Sequence, residues 1–364
     1  TILLGWSCCQ ILTAAGYAVN KVQIINDRGI HICKSMLAWQ KFGNGETPQS
    51  TAMKSDHFVG KYYVRYAQEE KAQKAALVAA GQQEAEPAIL GEARQLLLRW
   101  EANDPEVRAL WEKMNGWVYE GFEETYRNLG VHFDKNYYES NTYLLGRENV
   151  QDGLARDIFY RKPDGSVWIN LEAAKLDHKL VLRSDGTAVY MTQDIGTALL
   201  RYADFKMDRC VYVVGDEQNY HFKVLFEILK RLGAPFAEGL YHLSYGMVDL
   251  PSGRMKSREG TVVDADDLMA EVIEEARKNS EESGVITGLS AVEKQQINTQ
   301  IGLAALKFFI LKVNPQKRMV FDPKESVDLQ GHTGPYIQNA GVRARSVLRK
   351  AAQLEVDYAL AGSY

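Results

Sequence analysis

The chain has 364 residues, 46% of them apolar and 25% charged, with a formal net charge of −4. That length suits a main core carrying an insertion or a second domain, and the composition is that of a globular protein. No apolar run approaches the ~18 residues of a membrane-spanning helix, so no membrane span is expected, and the acidic balance does not by itself advertise a nucleic-acid partner.

In chain order, residues 2–12 have helical apolar spacing that ends ahead of Gly16. Residues 19–25 alternate as a strand and stop at Asn26-Asp27-Arg28-Gly29. That tetrapeptide is read as a strand-to-helix turn with Asp27 near the helix start, and it is given no catalytic role. A helix follows over residues 30–40. Residues 51–129 are rich in Ala, Glu, Lys and Gln, and predict two or three helices broken near Glu86-Pro87 and Asp104-Pro105. This block reads as an insertion, and a spacer competes evenly with a substrate-contacting role.

Strands are expected at residues 131–133 and around Tyr137-Tyr138, and hairpin turns at Pro163-Asp164-Gly165 and Ser184-Asp185-Gly186-Thr187. A helix over 193–202, a buried strand over 210–214 and a helix over 218–232 form a second α/β unit. Residues 245–250 read as a strand with its return at 261–263. Asp264 to Asp267 supply capping acids for a helix through Arg277. A long apolar helix spans 292–313, and a last one begins near Tyr336. The order predicts an α/β fold with loops gathered at the carboxyl ends of the strands.

The cysteines are Cys8, Cys9, Cys33 and Cys210; none forms a C-x-x-C pair and no histidines cluster beside them. No metal site is expected. The first fifteen residues are apolar but lack the basic n-region of a secretion signal, and reduced thiols fit a cytoplasmic protein.

The most informative segment is GRMKSREG, residues 253–260. Its glycines let backbone approach a ligand closely, and its cations and hydroxyl suit a polyphosphate whose charge grows as pyrophosphate leaves. In isolation, a hairpin turn with exposed charges is the favoured explanation. Its context decides. SYGMVDLPSGRMKSREGTVVDADDL resembles the second signature of arginyl-tRNA synthetases, a variant of the class I Lys-Met-Ser-Lys-Ser loop. INDRGIHICKSMLAW, VYMTQDIGTA, YVVGDEQNYHF, ALKFFILKV and GHTGPYIQNAGVRARSVLRK resemble successive segments of the same family, in order, over nearly the whole chain.

The resemblance implies a Rossmann-like class I catalytic domain with a helical insertion, followed by the start of an all-α anticodon-binding domain. The divisions are 1–50 and 131–250 for the two parts of the catalytic domain, 51–130 for the insertion, 251–330 for the signature loop and connecting helices, and 331–364 for the anticodon-binding domain. It implies an arginine-tRNA ligase using ATP, with Mg2+ accompanying the nucleotide, and L-arginine and tRNA(Arg) as partners of a monomer. Lys256, Ser257 and Arg258 take the signature-loop role; the usual second lysine is absent, and Lys256 and Arg258 compete for its phosphate.

Tyr190, Asp194 and Glu139 match residues that hold the arginine side chain, since a carboxylate pairs bidentately with a guanidinium and a phenol oxygen accepts another of its protons. Without the resemblance, Asp194 reads as a helix N-terminal acid and Tyr190 as core. Gln218 matches a head-group contact, and His221, Met247, Val248 and Lys256 match the ATP site. A lone His opening a helix is otherwise most often structural, and packing explains Met247 and Val248 equally well. Arg343, Arg345 and Arg349 are expected at tRNA phosphates, against a solvated helix face.

No His-Ile-Gly-His type signature, which in relatives falls just before the segment resembling residues 1–5, occurs here. The chain therefore reads as truncated at both ends and is expected to form arginyl-adenylate very poorly; arginine-dependent adenylation with tRNA present tests this. The alternative is a non-catalytic tRNA-binding or regulatory fragment derived from a synthetase. A dinucleotide enzyme is disfavoured, because residues 42–48 break the G-x-G-x-x-G pattern and follow a helix; a P-loop is absent.

Overall fold

The computed structural model describes residues 1–249, 264–283, 288–328 and 331–353. The basic loop with Lys256, Ser257 and Arg258, and the return strand expected at 261–263, lie outside the described residues. Two compact units are present, one over Thr1–Tyr245 and one built from residues 246–249 and the described residues from 264 on. Among the described residues, no helix is long and apolar enough to cross a membrane.

The first unit opens with α1 (Ile2–Ala14) and β1 (Val22–Ile25), the strand starting later than its alternation suggests. Then come α2 (Ile30–Phe42), α3 (Pro48–Thr51), α4 (Ser55–Ala79), α5 (Ala88–Glu101) and α6 (Pro105–Leu129), with breaks at both expected prolines. α6 carries complete boundary signals. Asp104 accepts from the N–H groups of Glu106 and Val107 at 3.0 and 3.3 Å, and Pro105 occupies the first turn. α2 and the long helices share one core of Met36, Phe58, Tyr66, Ile89, Trp100 and Met114, so that core crosses the division at residue 50.

Residues 131–133 are not a strand. Gly130, at φ 70, ends α6 in the left-handed region and turns the Val131 N–H back onto the Tyr126 carbonyl at 2.9 Å. Pairing starts at β2 (Lys135–Tyr138), which runs parallel to β1 from Val22↔Lys135 to Ile25↔Tyr138. α7 (Glu139–Thr142) and α8 (Arg147–Ala155) lead into an antiparallel sheet of β3 (Tyr160–Arg161), β4 (Val167–Ile169) and β5 (Lys179–Leu182). The first expected hairpin joins β3 to β4; the second closes through the bridge Leu182↔Ala188.

α9 (Tyr190–Phe205) begins ahead of its expected start and is followed by β6 (Cys210–Gly215), α10 (Asn219–Arg231) and β7 (Leu240–Tyr245). β6 is half-buried, with Val211 exposed, and not the fully buried strand its sequence suggests. It pairs in parallel with β7 from Cys210↔Leu240 to Gly215↔Tyr245. α9 reaches both parallel pairs: the buried Arg201 guanidinium lies 5.5 Å from the ring of Tyr137 on β2 and 5.3 Å from that of Tyr212 on β6. Val150, Ile169, Val181, Ile195, Ile228 and Phe236 form the second core beneath it.

In the second unit β8 (Val248–Asp249) pairs in parallel with β9 (Met319–Val320), and α11 (Ala265–Ser283), α12 (Ala291–Leu311), α13 (Pro323–Ser326) and α14 (Gly334–Gln353) supply the helices. The single strand expected over 245–250 is therefore divided. Gly246 gives its N–H to the Pro315 carbonyl at 2.7 Å, outside any ladder. α12 is fixed at its start by a capping box between Ser290 and Glu293.

Candidate active site

Parallel pairing sets the carboxyl ends of β1 and β2 side by side, so the turn at residues 26–29 lies against the start of α7. Such strand ends are where open α/β sheets place ligands. Glu139 is the first residue of α7 and is half-buried. Burial pushes its carboxyl above the usual range; the Arg28 guanidinium pulls it down, while Asp27 and Asp194 push it further up. Three acids thus act on one small region with one nearby cation.

Asp194 comes from the opposite side, in the second turn of α9. Its Oδ2 lies 2.6 Å from His221 Nε2, across the junction of α9 and α10. Its Oδ1 carries no hydrogen bond among the described residues. α9 is held against α7 and the segment after it by two features. Gln193 Nε2 donates to Thr142 Oγ1 at 3.4 Å. Gly196 meets Leu145 and Gly146 so closely that a Cβ there would stand 2.4 Å from the Gly146 nitrogen.

The structure brings together Glu139, Asp194 and His221 of the expected set. Tyr190 is on the same face of α9 as Asp194 by its four-residue spacing, but it is 79% exposed. Gln218, at the start of α10, is also exposed. Neither side chain makes a hydrogen bond among the described residues. Asp194 and His221, expected at arginine and at ATP respectively, are bonded to each other.

Met247 and Val248 belong to the second unit, where the Met247 carbonyl accepts from Met319 at 3.2 Å; Met247 is exposed. Arg343, Arg345 and Arg349 project from α14, exposed and without an ion pair among the described residues. Arg345 and Arg349 share a face at i,i+4 spacing, with Arg343 on another.

Asp27, a turn acid by its sequence position, is a junction in the structure. It is 2% exposed, and its carboxylate accepts from Ser140 N–H at 2.7 Å, Ser140 Oγ at 2.6 Å and Tyr119 OH at 2.9 Å. Its carbonyl takes the Trp111 indole N–H at 2.5 Å and the Asn115 amide at 3.0 Å. An acid directly after a strand was the available signal; its partners come from distant segments. A cleft of about 490 Å³ also opens between α6 and the β1–β2 pair, lined by Gln23, Asn136, Tyr126 and Glu123 among others, and it contains none of the expected site residues.

Residues 1–322 match the family described as tRNA synthetases class I (R), catalytic domain. The chain is 59% identical over 355 residues to a protein of Bacteroides thetaiotaomicron named arginine–tRNA ligase, covering 96% of this chain and 60% of that one. A Flavobacterium psychrophilum protein of the same name is 59% identical over 354 residues, with 96% and 59% covered. Among solved structures, the Thermus thermophilus arginyl-tRNA synthetase superposes with a TM-score of 0.78 at 24% identity, over 96% of this chain and 61% of that one. The Plasmodium falciparum arginyl-tRNA synthetase gives 0.72 at 18% identity, over 96% and 55%. At these identities the structural likeness is one of fold. The chain spans about 60% of the length of the curated relatives it matches.

Proposed function

The chain belongs to the class I tRNA synthetases of the arginine type, and from that membership we propose that it serves as an arginine-tRNA ligase. L-arginine is activated with ATP to arginyl-adenylate, and the arginyl group then passes to the 3′ end of tRNA(Arg). The arginine carboxylate attacks the α-phosphate in line and pyrophosphate leaves, a reaction that asks the protein chiefly for positioning and charge stabilisation.

One observation carries the substrate: Asp194 on α9 lies near enough to Glu139 on α7 to disfavour its charge, as burial and Asp27 also do, against the pull of Arg28. A guanidinium entering between them relieves that repulsion and offers planar donors to both carboxylates. His221 occupies Asp194 Oδ2 and leaves Oδ1 for the substrate. Tyr190 adds an acceptor at the rim and Gln218 meets the amino-acid head group.

On the same reading His221, Met247 and Val248 are each assigned to ATP, and Lys256, Ser257 and Arg258 to its phosphates. Mg2+ arrives with the nucleotide, whose phosphate oxygens are hard ligands. Arg343, Arg345 and Arg349 contact tRNA phosphates, and the anticodon-binding domain begins at residue 331. The protein works as a monomer in the cytoplasm and needs no membrane.

Calorimetric titration of the chain with L-arginine, L-lysine and L-citrulline tests the substrate. Arginine should bind tightest, and citrulline, which has the shape without the charge, should bind at least tenfold more weakly; equal binding of the two refutes the carboxylate reading. Asp194→Asn should weaken arginine selectively, and unchanged arginine affinity removes that acid from the site.

A further inference from the structure

We propose that the turn at residues 26–29 is a positioning device for the substrate-binding carboxylate: Asp27 fixes the backbone that carries Glu139 through Ser140, and Arg28, stacked on Tyr143 just past α7, places a cation in the same region. This rests on the reading of Glu139 as an arginine-binding acid.

The geometry for Asp27 is specific. Glu139 and Ser140 are the first two residues of α7. Ser140 gives both its N–H and its hydroxyl to the Asp27 carboxylate, at 2.7 and 2.6 Å, so the peptide following Glu139 is clamped from the end of the neighbouring strand. Asp27 is in turn held by Tyr119, Trp111 and Asn115 of α6. The carboxylate's own partners, Ser140 N–H, Ser140 Oγ and Tyr119 OH, are all donors, while Trp111 and Asn115 fix its backbone carbonyl, so neither end of Asp27 moves without losing a bond.

Arg28 points to the same carboxylate by charge. It is ion-paired to Glu101 of α5 at 2.8 Å and lies over the Tyr143 ring at 3.9 Å, just past α7. The groups that act on Glu139 are Asp27 and Arg28 from the turn and Asp194 from α9; Glu101 and His221 reach it through Arg28 and Asp194. Of the groups acting directly, Arg28 alone favours the ionised form. Without it, Glu139 takes up a proton at higher pH. A protonated Glu139 is neutral and no longer attracts a guanidinium.

Two measurements on the whole chain test this: the carboxyl titration of Glu139 followed by carbon NMR, with Glu139→Gln to assign the signal, and calorimetric arginine affinity against pH. Arg28→Gln should move the Glu139 midpoint upward, and the pH below which arginine binding weakens should rise with it. Arg28→Lys should return both toward wild type. Asp27→Asn should weaken arginine about tenfold at neutral pH, equivalent to about 1.4 kcal/mol. Ser140→Ala, which deletes one donor and is gentler on folding, should weaken it about threefold.

An unmoved Glu139 midpoint in Arg28→Gln, or a moved midpoint with an unmoved binding profile, overturns the proposal, as does wild-type affinity in Ser140→Ala. Failure of the unmodified chain to bind arginine instead defeats the substrate reading, and the NMR titration then still decides whether the turn acts on Glu139.

Discussion

The contact between α9 and the segment after α7 makes Gly196 a sensitive position. A Cβ at 196 would stand 2.4 Å from the Gly146 nitrogen, 2.5 Å from Leu145 Cβ and 2.6 Å from the Leu145 carbonyl carbon. Two effects oppose each other in Gly196→Ala. Helix propensity favours alanine by about 1 kcal/mol in a helix interior. Overpacking costs about 1–3 kcal/mol, and here two of the three colliding atoms are backbone, which cannot swing aside. The collision should win and leave a net loss of about 2 kcal/mol.

The sequence supplies its own reporter. The six tryptophans are Trp6, Trp39, Trp100, Trp111, Trp117 and Trp168, all within the first unit. Urea unfolding followed by tryptophan fluorescence therefore reads that unit alone. With a slope of about 2 kcal/mol per molar urea, the midpoint should fall by about 1 M. Because Glu139 precedes the displaced segment and Asp194 is on the displaced helix, arginine affinity should fall as well. A midpoint raised by about 0.5 M, as propensity alone dictates, would refute the close approach.

Tyr119→Phe and Tyr126→Phe each remove one phenol hydrogen bond, to the Asp27 carboxylate at 2.9 Å and to the neutral Gln23 amide oxygen at 3.0 Å. By the same fluorescence assay the first should cost about 1.5–3 kcal/mol and the second about 0.5–1.5 kcal/mol; equal losses contradict the stronger bond at Asp27. Lys307 on α12 is half-buried without an ion pair among the described residues, and burial lowers its amine below the ordinary 10.5. Its charged form is therefore disfavoured by folding at neutral pH, a penalty relieved as pH rises from the lowered value toward the ordinary one. Lys307→Met should slow amide hydrogen exchange along α12 at neutral pH, with the gain shrinking toward pH 10, and faster exchange contradicts it. Finally, Arg345→Ala with Arg349→Ala should weaken tRNA binding and reduce the log–log salt slope by up to about 2, at roughly 0.7–0.9 per phosphate contact. An unchanged slope marks these arginines as a solvated helix face.

How far the sequence discloses this fold depends on whether each boundary signal is local. The long helices of residues 51–129 are legible because Pro87, Asp104 and Pro105 terminate or cap them within a few residues. Residues 131–133 look like a strand by composition, but the turn at Gly130 consumes them, and only the Lys135–Tyr138 segment finds a partner. β7 escapes a sequence reading altogether. Its six residues alternate poorly, and what makes them a strand is pairing with β6, whose sequence neighbours give no hint of it.

The site divides in the same way, and the division has a physical cause. Under the proposed reading Asp194 and Glu139 are singled out through the family resemblance, since a carboxylate suits a guanidinium but taken alone reads equally as a helix-start acid. What they need around them is not encoded nearby. Asp194 is tied to His221 across 27 positions, and Asp27 to Tyr119 and Ser140 across 92 and 113. A residue that binds substrate is constrained by the substrate's chemistry, which a sequence can suggest. One that holds another residue in place is constrained by donors from remote segments, and in a linear reading it is indistinguishable from an ordinary turn acid. It also follows that Asp27 should be less tolerant of substitution than its exposed neighbours in the same turn, since a buried carboxylate replaced by any group lacking two acceptor oxygens strands at least one donor.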